Sequence, residues 1–222
     1  MQTIMESIFD IAYLVTAGVL GILILKNAKG KNEYILFGSM TLLLGLGDSF
    51  HLIARIYAMW NGGTQYYPVA LGVGKLVTSI TMTVFYILLY HFWQKHNHIN
   101  ISKRSNKIIT FIIYGLAIAR IGLCVFPQNG WFVNDSSYEW GIYRNIPFFV
   151  MGGMIAVLYF KKNFLIKDRY FRFMWLAIAI SFVFYVITVL GTEFYPLLGM
   201  MMIPKTCAYI WMITMGYREF IA

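Results

Sequence analysis

The sequence predicts an all-α fold: a polytopic membrane protein built as a seven-transmembrane up-and-down helical bundle, with the N-terminus out and the C-terminus in. Three observations predict it. The chain of 222 residues is 59% apolar and only 12% charged, with a mean hydropathy of +0.66. A soluble domain carries about 25% charged residues, and so small a charged share cannot cover a surface that faces water. Seven apolar runs also approach the ~20 residues a helix needs to cross a hydrocarbon core. Lastly, Lys and Arg gather in alternate loops. No linker, low-complexity tract or internal repeat interrupts residues 1–222, so one domain is expected.

The spans follow in order. The first covers 7–25, and the "MQTIMESIFD" around its start has no basic residue, so no cleaved signal peptide is expected. The second, 34–59, contains "LLLGLGDSFHLIARIYAMW", which places Asp48, His51 and Arg55 inside an otherwise apolar stretch. The third, 68–93, opens on Pro68 and carries Lys75, Thr78 and Ser79. The fourth, 108–126, carries Arg120. The fifth, 146–160, is the shortest, and its start extends into the loop before it. The sixth, 171–193, closes on Glu193. The seventh, 197–217, holds Lys205 directly after Pro204, which is expected to free the carbonyl near Met200 and bend the helix. Helices are required because lipid offers no partner to the backbone of an open strand.

Loop charge sets the orientation. "KNAKGKNE" at 26–33, "QKHNHINISKRSNK" at 94–107 and "KKNFLIKDRYFR" at 161–172 hold 12 of the 18 Lys and Arg. All three fall on one side. The opposite side has "NGGTQYY" with none and the 127–145 loop with only Arg144. Such a bias places the basic loops in the cytoplasm. The net charge of +9 is then mostly topology, with some attraction to anionic lipid, and no soluble basic domain is left to bind nucleic acid. Cys124 and Cys207 both lie in apolar runs, which suggests two small buried side chains and no disulfide.

With that orientation, every charged residue or histidine inside a span falls in the outer half, apart from His91 and from Arg172, which is counted with the basic loop. Charges at membrane depth cost about 2.5–3.5 kcal/mol each on insertion scales, so they pair or line a wet cavity. Asp48, His51 and Arg55 stand at i, i+3 and i+7 and therefore share a helix face, while Gly45 and Gly47 let a neighbour approach. Lys75, Ser79 and Met82 share another face. Together with Asp10, Arg120, Glu193 and Lys205, and with Arg144 at the rim, these residues predict a polar chamber open to the outside. A purely structural account pairs Asp48 with Lys75 or Arg120, and Glu193 with Lys205. Basic groups outnumber acidic ones, however, and the surplus suggests that a carboxylate or phosphate completes the site. The loop "PQNGWFVNDSSYEWGIYRN" reads equally as an interfacial aromatic belt and as a lid over the mouth.

Other chemistries fit less well. Metal hydrolysis needs several converging His or carboxylate ligands, but His91, His96 and His98 lie at the opposite face from His51. The chain also lacks the later-helix histidines of the alkaline ceramidase and progestin-receptor-like hydrolases, so neither a metal nor a paired-histidine haem is expected. Lys205, with Trp211 nearby, sits where a microbial rhodopsin carries its Schiff-base lysine. No carboxylate lies on the third span to balance it, and no cofactor is expected.

"GLGDSFHLI" followed by "GVGKLVTSITMTVFYILLYHF" resembles the second and third helices of the lysoplasmalogenase-like family of seven- and eight-helix membrane proteins, over about a fifth of the chain. The resemblance implies a helical bundle with a lipid-accessible site and maps Asp48 onto that family's functional Asp. The family's second acid, in a Ser-Asp pair, has no match, because Ser181 is followed by Phe182.

The expected function is binding of an amphipathic anionic ligand, lipid-like or carboxylated. Its head would meet Arg55, Lys75, Ser79, Arg120, Arg144, Glu193 and Lys205, and its tail would lie among Met and aromatic side chains. One alternative is a lysolipid hydrolase using Asp48 and His51 as its acid–base pair, since a histidine titrates near neutral pH. Another is a small-molecule transporter, which the apolar inner halves disfavour. Expected partners are membrane lipids, the amphipathic anion and a membrane or cytoplasmic protein, at the cell membrane.

Overall fold

The computed structural model describes residues 2–133 and 137–221. Its long helices are α1 (Gln2–Lys26), α2 (Asn32–Trp60), α3 (Pro68–His96), α4 (Arg104–Val125), α6 (Ile146–Tyr159), α7 (Met174–Gly191) and α8 (Met202–Phe220), with a short α5 (Tyr138–Tyr143) before α6. No strand occurs among the described residues. Among the described residues, seven helical segments are long and apolar enough to cross a membrane. The fifth of them, Tyr138–Phe164, joins α5, α6 and a π-helical turn (Phe160–Phe164). It is thus longer at both ends than the expected 146–160.

Neighbours in sequence are neighbours in space: α1 packs on α2, α2 on α3, α3 on α4, α4 on α6, α6 on α7 and α7 on α8. Contacts between α8 and α1 close the ring. Short loops between touching helices make them antiparallel. The three basic loops therefore share one end of the bundle, where the His96 ring nitrogens face Asp168 at 2.8 Å and Glu33 at 3.9 Å. At the other end, Arg55 of α2 meets Glu6 of α1 at 2.8 Å.

Small residues set the closest approaches. A Cβ on Gly74 would stand 2.6 Å from the Phe50 carbonyl oxygen and 2.7 Å from the His51 Cα, so α3 lies directly on the α2 backbone there. Thr78 exploits this contact, donating its hydroxyl to the Gly47 carbonyl at 3.1 Å. Gly45 faces the other way, toward Ala17 of α1 at 3.0 Å. The pair thus lets both neighbours close on α2.

The half of the bundle near the basic loops is filled by aromatic rings. Phe92 meets Phe37 at 4.9 Å and Phe171 at 5.0 Å, with Phe220 joining the same cluster. Outside, apolar side chains stand exposed in rows, as with Phe111 at 80%, Ile118 at 69% and Val125 at 67% along one face of α4. A face this apolar is suited to lipid and not to water.

Three expectations change. Pro204 does not bend a helix in mid-course. The segment Pro196–Met201 is a 3₁₀ helix, α8 starts at Met202, and Pro204 lies in its first turn, where proline is tolerated. The sixth span begins at Met174 instead of 171, because Asp168 Oδ1 accepts the Tyr170 and Phe171 N–H groups at 3.0 and 2.7 Å and holds that segment in a turn. Cys124 is buried as expected, whereas Cys207 is exposed on the outside of the bundle.

Candidate functional site

At the end opposite the basic loops, the helices part around a chamber of about 420 Å³. That lies within the ~300–1,000 Å³ of small-molecule sites. Asp48, His51, Arg55, Lys75, Ser79, Arg120, Arg144, Glu193 and Lys205 all line it. Asp10, Thr78 and Met82 line it too, and Met82 is buried in its apolar wall. The spacing argument on α2 and α3 therefore brings its residues to one place.

The pairing differs from expectation. Asp48 bonds neither Lys75 nor Arg120. Its Oδ2 accepts the Tyr13 hydroxyl at 2.6 Å, and Lys205 lies close enough to act on its charge. Nor is Asp48 hydrogen-bonded to His51, whose Nδ1 is buried with no hydrogen-bond partner among the described residues. Glu193 is exposed at the mouth and makes no ion pair with Lys205. Lys205, 7% exposed, instead points its ammonium at the Tyr185 ring (4.6 Å) and the Tyr209 ring (5.4 Å). Lys75 presents an exposed side chain to the chamber.

Arg120 is the most constrained of the cations. It is 2% exposed, and its Cζ sits 3.3 Å above the Phe148 ring. Its Nε and Nη1 have no hydrogen-bond partner among the described residues. A cation–π contact contributes roughly 0.5–2 kcal/mol. Leaving a buried donor unpaired costs about 1–3 kcal/mol, and more when it is charged.

Arg144 is better supplied. Its Nη1 donates to Asn129 Oδ1 at 2.7 Å, and its Cζ lies 4.5 Å from the Trp131 ring. Asn129 is itself fixed, its amide donating to the Leu123 and Phe126 carbonyls at 2.8 and 2.9 Å at the end of α4. The "QNG" turn signal thus marks a cap that carries an arginine, with Gly130 at φ 60°.

The 127–145 loop divides between its two readings, with residues 134–136 outside the described part. Trp131 is buried, its indole N–H donates to the Cys124 carbonyl at 2.7 Å, and its own carbonyl seats against Gly72 of α3. Trp131, Ser137, Tyr138 and Gly141 line the chamber as a lid would, and the Tyr138 hydroxyl reaches the Leu190 carbonyl at 3.4 Å. Tyr143 turns outward and is exposed, as in an interfacial belt.

Sequence reasoning missed Glu6, Tyr13, Asn145 and Tyr185. Asn145 is buried, and its Oδ1 accepts the Tyr185 hydroxyl at 2.9 Å, joining α6 to α7 beside Lys205. No group of three or more metal-ligating side chains comes together among the described residues.

Chemically, the chamber offers several fixed cations, a few carboxylates and an apolar wall. No family model, curated protein or solved structure matches this chain.

Proposed function

We propose that this is a cell-membrane protein, N-terminus out and C-terminus in, whose chamber binds an amphipathic anionic ligand, lipid-like or carboxylated. One observation carries the reading. Arg120 lines the chamber, is almost wholly buried and has two N–H-bearing nitrogens without an acceptor among the described residues. An anionic oxygen supplies what the protein does not. The basic loops at the far end support the orientation, and the apolar wall around Met82 supports a tail.

The test uses purified protein in maltoside micelles with decanoate or decyl phosphate added, decanol serving as an uncharged control. The anions raise the melting temperature of the wild-type protein, and decanol does not. Arg120→Gln abolishes most of that rise. An equal rise in the variant, or none in the wild type, rejects the assignment.

A second reading, a lysolipid hydrolase, draws on the partnerless Nδ1 of His51 in the same chamber. The resemblance of the α2–α3 segment to lysoplasmalogenase-like proteins gives Asp48 a role in it. Lysolipid turnover that survives both Asp48→Asn and His51→Ala excludes it.

A further inference from the structure

Charges around the chamber are sorted by sign. Glu6 and Asp10 stand one turn apart on α1, and Asp48 faces them from α2. Lys75 is on α3, Arg120 on α4, Arg144 just after α5 and Lys205 on α8. Among the described residues two charges cross the division: Glu193, exposed at the mouth after α7, and Arg55, which Glu6 holds at 2.8 Å.

On the acidic side, two carboxylates are already engaged: Glu6 by Arg55, and Asp48 by Tyr13 and the charge of Lys205. Asp10 makes no hydrogen bond and no ion pair among the described residues; the charge of Arg55 attracts its carboxylate, while those of Glu6 and Asp48 repel it. On the basic side, the groups that act on Arg120 and Arg144 among the described residues are Tyr185 and Cys124, with Tyr209 beside Arg120, and none of these is a carboxylate. Among the described residues the chamber therefore holds, on different walls, a carboxylate with no hydrogen-bond partner and a buried guanidinium with two unpaired nitrogens. Both line the same cavity.

A purely anionic headgroup answers Arg120 and leaves Asp10 facing a further negative charge. A purely cationic one does the reverse. We infer that the headgroup is a zwitterion, its phosphate or carboxylate against Arg120 and Arg144 and its ammonium against Asp10. This deepens the function proposed above and rests on it. The same chemistry is found in a lipid headgroup and in a free soluble zwitterion.

Three probes separate the possibilities by calorimetry in maltoside micelles: decylphosphocholine, decyl phosphate and glycerophosphocholine. The zwitterion with a tail binds the wild-type protein at least about tenfold more tightly than decyl phosphate. Asp10→Asn removes that advantage and leaves decyl phosphate as tight as before or tighter, while Asp10→Glu keeps it. Arg120→Gln weakens both. If decyl phosphate equals decylphosphocholine on the wild-type protein, the zwitterion inference is wrong and anion binding stands. If none of the probes binds, the ligand-binding reading fails and takes the inference with it. The wild-type comparison decides the matter even where a variant does not fold. Glycerophosphocholine binding as tightly as decylphosphocholine supports a soluble zwitterion, and markedly weaker binding supports a lipid.

Discussion

The hydroxyl of Tyr13 donates to Asp48 Oδ2 at 2.6 Å, joining α1 to α2 beneath the chamber. Tyr13 is 1% exposed, so water has little access to this bond. A hydrogen bond to a charged group contributes about 1.5–3 kcal/mol, and its loss leaves a buried carboxylate short of a donor. Tyr13→Phe therefore lowers stability by about 2 kcal/mol. That is a drop in melting temperature of roughly 4–8 °C for a chain of this size. Asp48→Asn, which keeps an acceptor for Tyr13, costs less. An unchanged melting curve for Tyr13→Phe would show that the contact is incidental.

At the opposite end, Asp168 fixes the turn before α7. Burial pushes its carboxyl up, but the hydrogen bond from His96 and the Phe171 and Tyr170 N–H groups outweigh it, and the net effect is below the usual 3.8. A carboxylate depressed on folding adds stability that is complete above its unfolded pKa and is lost as pH falls through the folded one. Asp168→Asn thus destabilises near neutral pH, by about 1–3 kcal/mol from the weakened hydrogen bonds. The variant then loses less than the wild type between about pH 5 and pH 2. Denaturation midpoints at several pH values check this, and parallel acid limbs in the two proteins contradict it.

Much of this architecture is legible in the sequence, for a physical reason. A charged side chain inside an apolar run is costly, so Lys75, Arg120 and Lys205 announce a shared polar site before any coordinates exist. Helical spacing then puts Asp48, His51 and Arg55 on one face. What stayed hidden is the identity of the partners. Tyr13 and Tyr185 look like ordinary apolar-compatible residues, because a tyrosine's ring satisfies hydropathy while its hydroxyl waits for a neighbour. Glu6 lies just outside the hydropathy window that marks the first span, although α1 begins before it. The pairing of charges depends on which helices touch, and a ring of seven gives each charge two walls to choose from. Pro204 failed differently: its helix start is 3₁₀, and hydropathy carries straight through it.

The seat of the lid on α3 gives a sharper test of packing. A Cβ on Gly72 would run into the carbonyl of Trp131, a backbone atom that cannot swing aside. Gly72→Ala displaces the loop that lines the chamber, at a cost of about 1–3 kcal/mol. It also raises cleavage by protease within 127–133. Gly122→Ala on α4 is the control, since nothing lies within 4 Å of its Cβ position. There the alanine stabilises by roughly 0.5–1 kcal/mol through helix propensity. If Gly72→Ala behaves like Gly122→Ala, the lid is not seated on α3.

Pro204 allows the two accounts of the seventh span to be separated directly. A proline bending the helix in mid-course removes a backbone hydrogen bond, and replacing it restores that bond and straightens the segment. In the first turn of α8 it costs at most a bond to the preceding 3₁₀ segment, and its fixed φ is compatible with the helix start. Pro204→Ala is therefore neutral or slightly destabilising, by about 0.5 kcal/mol through the looser unfolded chain. Lys205 stays under the Tyr185 ring, so binding of decyl phosphate is unchanged. A gain in stability above about 1 kcal/mol in the alanine variant would mean that the proline strains a continuous helix after all.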